Sequence, residues 1–291
     1  MLGIIYAIGN CVNFLLYKNA PRGCARETLF YKGGVKVRIA LLELLTEWED
    51  KETNWTKLES VIDGLKDAGI DLLLLPEMSF TGFSMNVDYT KEETEYTIAR
   101  LMSLSLDSGV ALGAGWVKSI GDKCENHYSI VDGDTLVADY AKIHPFSYSG
   151  EDEFFEGGKS IVSARLRGFK IGIQICYDLR FPATFEKAAN KADLMIVPAN
   201  WPAKRSAHWK ALLKARAIEN QVYVAGVNCV GDIGGLTYSG DSRIINPDGN
   251  QCRTQCIKAG FIGNIYIADL NNDTDKYRQA FPVRNDRVYG K

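Results

Sequence analysis

Three ionisable side chains in this 291-residue chain each follow directly on an apolar run. Glu77 follows Asp71-Leu72-Leu73-Leu74-Leu75-Pro76. Lys142 follows Leu136-Val137-Ala138-Asp139-Tyr140-Ala141. Cys176 follows Lys170-Ile171-Gly172-Ile173-Gln174-Ile175. Such runs read as strands, and in open α/β sheets ligands gather beyond the carboxyl ends of strands. A carboxylate, an ammonium and a thiol at such ends would converge on one cleft. The thiolate is the nucleophilic form of cysteine, and a free thiol with pKa about 8.5 needs a base. A Glu behind a run of apolar residues is partly desolvated, which suits a general base near pH 7. Lys142, beside His144-Pro145 and Phe146, is a candidate fixed cation. Cys176 stands where the strand turns into a helix near Pro182. The N–H groups at that helix start are expected to lower the thiol pKa and to hold an oxyanion. Each residue alone has a plainer role: a small buried hydrophobe for the Cys, a turn residue for the Glu, a surface charge for the Lys.

Composition bounds the partners. Lys plus Arg number 34 and Asp plus Glu 36, a net charge of −2. That lacks the basic excess of a nucleic-acid protein and is too balanced for an acidic disordered chain. The seven cysteines are odd in number and scattered, which fits free thiols in a reducing, cytoplasmic compartment. Cys252 and Cys256 have no second Cys/His pair, and His127, His144 and His208 are far apart, so no metal site is expected. Gly231-Asp232-Ile233-Gly234-Gly235 lacks the strand–loop–helix order of a phosphate loop.

The elements that must position the three groups begin at about Val35. Residues 1–34 read as a disordered or loosely packed extension. Their apolar stretch Leu2–Tyr17 is broken by Gly9, Asn10 and Asn13, too short for a membrane span, and lacks the basic flank of a signal peptide. Residues 35–291 read as one domain. Val37–Leu42 and Ile70–Leu75 are expected strands, with a helix over Trp55–Leu65 between them. A helix over Glu92–Leu106 and a strand over Val110–Val117 follow. Tyr128–Val131 and Thr135–Tyr140 form a hairpin about an Asp132-Gly133 turn. The second half repeats the rhythm: strands Ile161–Leu166 and Lys170–Cys176, helix Pro182–Asn190, strand Leu194–Val197. Next comes a helix capped by Ser206 and running to Asn220, then strands Val222–Val227, Arg243–Ile245 and Gly263–Asp269. Strands alternating with helices predict an α/β fold.

The contexts of the three groups carry a resemblance. Leu75-Pro76-Glu77-Met78 with Thr81-Gly82-Phe83, then Tyr140-Ala141-Lys142-Ile143-His144, then Cys176-Tyr177-Asp178-Leu179-Arg180-Phe181-Pro182 resemble the nitrilase superfamily of carbon–nitrogen hydrolases over about residues 35–285. Ala199-Asn200-Trp201-Pro202, His208-Trp209, Ala215–Gln221 and Tyr238–Arg243 resemble its ω-amidase-like branch. The resemblance implies an α-β-β-α sandwich, a Glu77-Lys142-Cys176 triad, homodimers through the helices flanking the cysteine, and no cofactor. It also implies a second carboxylate. Glu151, nine positions after Lys142, is the best match, with Asp152 and Glu153 adjacent. His208, Arg216 and Glu219 share a helix face, which suits pairing under the cleft or at a dimer seam.

The implied reaction is hydrolysis of a small amide through a Cys176 thioester, with ammonia released. Tyr177, Trp201 and Phe83 are expected pocket walls. The branch acts on 2-oxo dicarboxylic acid monoamides, and the loop after Trp201-Pro202 brings Lys204 and Arg205 near that wall. A guanidinium at Arg205 could grip the substrate carboxylate by a two-pronged bond. The triad equally serves nitriles and N-carbamoyl amines. A catalytically silent α/β binding protein is the reading outside enzymes. Beyond the small-molecule amide, neither nucleic acid nor membrane is an expected partner.

Overall fold

The computed structural model describes residues 36–288; the expected extension, residues 1–34, lies outside them. Strand β1 (Lys36–Leu44) is buried along most of its length. Its two-residue periodicity sends Ile39 and Leu41 to one face and Ala40 and Leu42 to the other. The first pair packs with Ile171, Ile173 and Ile196, the second with Trp55, Leu58 and Val61. Burial on both faces is why these strands read as continuous apolar runs. Each buried Leu, Ile or Val among them contributes about 1.5–3 kcal/mol on leaving water.

Helix α1 (Lys51–Leu65) follows, capped by Asp50, which accepts the Thr53 N–H at 3.1 Å. Strand β2 (Leu72–Leu74) lies parallel to β1. After α2 (Val87–Thr90) and β3 (Lys91–Glu92) comes α3 (Tyr96–Ser108). Helical periodicity places the start of α3 at Glu92. Glu92 instead pairs with β4 (Ala111–Ser119), and its carboxylate accepts the Thr97 N–H and hydroxyl. Strands β5 (Cys124–Asp132) and β6 (Thr135–Ala141) form the expected hairpin. Asp132 faces Thr135, so the two-residue turn is Gly133-Asp134, one position later than the Asp-Gly signal suggests.

The second half runs α4 (Glu151–Phe154), β7 (Ser163–Leu166), β8 (Phe169–Ile173), α5 (Pro182–Ala189), β9 (Leu194–Ala199), α6 (Ser206–Asn220) and β10 (Tyr223–Asn228). Then come β11 (Val230–Ile233), β12 (Leu236–Ser239), β13 (Arg243–Ile245), β14 (Gln255–Lys258), β15 (Gly263–Asn271) and α7 (Thr274–Ala280). One sheet has the order β14-β15-β1-β2-β4-β5-β6, the other β13-β10-β9-β8-β7. Their inner faces pack together, α1 and α3 cover the first sheet, and α5 and α6 cover the second. This is the α-β-β-α sandwich. Gly231–Gly235 belongs to the β11–β12 hairpin, with Gly234 and Gly235 as its turn. Ser206 does not cap α6. It is the first helical residue, and its hydroxyl donates to Asp241 at 2.7 Å, so that carboxylate takes the group that capping needed.

Candidate active site

The three strand ends do meet. Glu77 follows β2 on a turn that lies against β4: the Ser79 N–H donates to the Gly115 carbonyl at 3.0 Å, and the Gly115 N–H donates to the Ser79 hydroxyl at 2.9 Å. Contact is so close that a Cβ at Gly115 would lie 2.3 Å from the Met78 nitrogen and 3.0 Å from the Glu77 Cα. Only glycine leaves room for the turn. Lys142 leaves β6, and its N–H donates to the Asn126 carbonyl at 2.8 Å.

Cys176 opens a short 3₁₀ turn, Cys176–Arg180, between β8 and α5. Its φ of +45° is in the left-handed region, a strain of order 1–3 kcal/mol that the surroundings must hold. Asp178 supplies that hold. Its carboxylate accepts the Ile175 N–H (3.0 Å), the Tyr140 hydroxyl (2.9 Å) and the His144 N–H (2.9 Å), and lies 2.7 Å from His144 Nδ1. One buried carboxylate thus ties the Cys176 turn to the segment carrying Lys142. From the far side Arg216 of α6 donates twice to the Leu179 carbonyl, at 3.1 and 2.8 Å, and once to Glu219 at 2.8 Å. Arg216 and Glu219 therefore brace the turn from under the cleft. His208, on the same helix, is exposed, 3.4 Å from Arg180.

A charged cluster lies beneath the thiol. Lys142 Nζ donates to Glu77 Oε1 at 2.8 Å and to both Glu151 oxygens at 3.0 and 2.8 Å. All three side chains are about 1% exposed or less. Asp152 and Glu153 are exposed, so of the three neighbouring acids Glu151 is the one at the site. Burial alone would discharge Lys142, but Glu151 and Glu77 outweigh it and hold its pKa far above the ordinary value. Burial pushes Glu151 up against the pull of Lys142. Burial likewise pushes the Cys176 thiol well up, Glu77 adds to this, and Lys142 opposes it. The expected lowering of the thiol pKa is therefore overturned. The turn is too short to carry a useful dipole, the site is desolvated, and two carboxylates neutralise the nearby cation.

The pocket above is lined by Phe83, Tyr177, Trp201 and Arg205, all four expected there, together with Lys142 and Cys176. Lys204 is exposed and does not line it. Sequence reasoning missed Asn126, Asn200, Arg180 and Tyr238. Asn200 donates its N–H to Glu77 Oε2 at 2.9 Å and its side-chain amide to the Glu77 carbonyl at 2.7 Å. Arg180 stacks 4.6 Å over the Trp201 ring, and Arg205 sits 5.5 Å over Phe146. Among the described residues neither guanidinium has a carboxylate within 4.0 Å. Burial and the charge of Arg205 depress the Arg180 pKa. Arg180 stood within the quoted Cys176 motif, but spacing does not say which way it points. Among the described residues no group of His, Cys, Asp and Glu has the clustering of a metal site.

Residues 38–279 match the family model described as carbon-nitrogen hydrolase. The chain is 36% identical over 253 residues to "Omega-amidase YafV" of Escherichia coli (strain K12), covering 86% of this chain and 96% of that protein. It is 30% identical over 258 residues to "2-oxoglutaramate amidase" of Bacillus subtilis (strain 168), covering 87% and 98%. Among solved structures, the CN-hydrolase superfamily protein XC1258 from Xanthomonas campestris superposes with a TM-score of 0.79 at 28% identity, covering 87% of this chain and 97% of that one. That structure carries an arsenic adduct in its active site.

Proposed function

The chain belongs to the carbon–nitrogen hydrolase family, and we propose that within it the chain is a thiol-dependent ω-amidase. It cleaves the terminal amide of small carboxylate-bearing amides such as 2-oxo dicarboxylic acid monoamides. One observation carries the substrate class. A pocket whose floor holds Cys176 and Lys142 has two guanidiniums, Arg180 and Arg205, on its wall with no carboxylate of the described chain to neutralise them. Two unpaired cations in a mostly aromatic pocket favour an anionic substrate end.

Glu77 takes the thiol proton as Cys176 Sγ attacks the amide carbon. The oxyanion that forms is held by Lys142 and by the Tyr177 N–H, which stands in the first turn of the 3₁₀ segment, where intrahelical acceptors are lacking. Lys142 spends two of its three contacts on the same carboxylate, Glu151, so one can turn to the oxyanion at small cost. Glu77 then gives its proton to the nitrogen, the C–N bond breaks and ammonia leaves, with a thioester on Cys176. Glu77 next takes a proton from water, hydroxide adds to the thioester carbon, and the departing thiolate recovers the proton. Phe83, Tyr177 and Trp201 exclude bulk water and orient the chain of the substrate. Glu151 holds Lys142 charged and in place.

A homodimer through α5 and α6 and a cytoplasmic location complete the proposal. The first is supported by the resemblance of the cysteine-flanking segments. The second is supported by the free thiols of the five described cysteines, which suit a reducing compartment. Among the described residues no helix is long and apolar enough to cross a membrane. The test is an ammonia-release screen over 2-oxo acid ω-amides, neutral amides, nitriles and N-carbamoyl amines. Fastest turnover of a 2-oxo acid ω-amide supports the reading. Preference for a nitrile, or carbon dioxide released with the ammonia, refutes it.

A further inference from the structure

Asn126 sits on β5 at the centre of the charged cluster and is 1% exposed. Its side-chain Nδ2 donates to Glu77 Oε1 at 2.9 Å and to Glu151 Oε1 at 3.0 Å. Its backbone carbonyl accepts the Lys142 N–H at 2.8 Å. Its Oδ1 is buried without a partner in the described structure. An NH₂ group has two hydrogens, and here each goes to a different carboxylate. The opposite amide orientation would set an oxygen against both carboxylate oxygens. The residue therefore commits its donors to the cluster and leaves its own acceptor unsatisfied, a pattern that stability alone does not favour.

We propose that Asn126 is a positioning residue for the reaction, a bracket that spaces the Glu77 and Glu151 carboxylates around Lys142 and holds Glu77 oriented to take the thiol proton. Three oxygens contact the Lys142 ammonium, and without a neutral donor between them the two carboxylates share a single cation. Lys142 then has to satisfy both at once, and Glu77 is free to rotate toward it and away from Cys176. Asn200 fixes the other Glu77 oxygen. With Asn126 and Asn200 both in place, the carboxylate plane has one orientation. The charged groups facing Asn126 are Glu77 after β2, Lys142 after β6 and Glu151 at α4, with the thiol of Cys176 beyond them. Glu125 and His127, its neighbours on β5, point to the other face of the sheet. There His127 is paired with Glu125 and with Asp139 of β6.

The inference rests on the assigned roles of Glu77 and Cys176, and its test is arranged to stand without the substrate assignment. Asn126→Leu removes the donor, and Asn126→Asp replaces it with a third acceptor while keeping the side chain's shape. Two readouts are compared with wild type from pH 5 to 9. One is ω-amide hydrolysis. The other is iodoacetamide labelling of Cys176 without substrate, read on its own peptide by mass spectrometry. In both variants we expect kcat to fall about tenfold or more with KM little changed. The acid limb of kcat/KM and of Cys176 labelling should move upward together by about one pH unit, because a donor to the charged carboxylates is gone. The shift should be larger for Asn126→Asp, which adds a like charge. A folded variant with wild-type kcat and an unmoved labelling profile overturns the proposal, as does a loss confined to KM. If Asn126→Leu does not fold, Asn126→Asp carries the test. If wild type hydrolyses no ω-amide, the proposed substrate fails, and the labelling profiles still decide the role of Asn126.

Discussion

Replacing Arg180 or Arg205 by Met keeps an unbranched apolar stem against Trp201 or Phe146 and deletes the charge. Arg180 lies 4.6 Å over the Trp201 ring, and its pKa is depressed by burial and by Arg205. A docking carboxylate relieves that repulsion, so the two cations and the anion stabilise one another. A charge-assisted hydrogen bond contributes about 1.5–3 kcal/mol, which is roughly 10- to 150-fold in kcat/KM at 1.4 kcal/mol per factor of ten. Both guanidiniums are partly open to solvent, which screens the interaction and favours the low end, about tenfold for each single variant. The assay compares a 2-oxo acid ω-amide with a neutral amide of equal length on wild type, Arg180→Met, Arg205→Met and the double variant. The loss should appear on the acid and vanish on the neutral amide. If both guanidiniums address one carboxylate, the double variant should lose less than the sum of the two single losses in free energy. Equal losses on acid and neutral amide would mean the arginines only shape the pocket. No loss on the acid would remove the argument for substrate class drawn from these residues.

Three further outcomes are expected. Cys176→Ala should abolish ammonia release while the melting temperature changes little, since it removes one sulfur atom from a half-buried residue that lines the pocket; turnover near wild type would refute the thioester route. Gly115→Ala should destabilise the fold by about 1–3 kcal/mol through overpacking, because its Cβ would lie 2.3 Å from the Met78 nitrogen. It should also lower kcat more than KM, since the Glu77 turn must move; a stable, fully active variant in denaturant melts and kinetics would contradict the close approach. The third concerns His127, whose pKa burial alone would lower but Asp139 and Glu125 together raise. A raised folded-state value stabilises fully below the unfolded value of about 6.5 and is lost as pH climbs through the folded value. His127→Gln should therefore cost more stability at pH 6 than at pH 9 in urea melts, and an equal deficit at both would show that His127 is neutral.

Local sequence carries what depends on near neighbours. Apolar runs buried on both faces identify β1, β2, β8 and β9, because a strand covered by a second sheet and by helices has no polar face to show. Two of these runs place Glu77 and Cys176 just beyond strand ends, and Lys142 follows β6, whose first residues are exposed. Element edges are less legible, since they turn on single hydrogen bonds across the fold. Glu92 leaves the expected helix to pair with β4 and cap Thr97, and Ser206 gives its hydroxyl to Asp241 instead of to a cap.

The tertiary structure decides the electrostatics, because burial and charge at a site are sums over residues far apart in sequence. The sequence alone argues for an activated thiol; in the assembled site burial, and Glu77 arriving from 99 positions away, push that thiol's pKa up against the pull of Lys142. Packing also selects Glu151 over Asp152 and Glu153, and turns Arg180 into the pocket while Lys204 stays in solvent. Asn126 carries no local signal, and Asn200 stands in the quoted Ala199–Pro202 segment with nothing there to say what it touches. They matter only because β5 and the end of β9 bring the Asn126 side-chain amide and the Asn200 backbone N–H against the same carboxylate, 49 and 123 positions away along the chain.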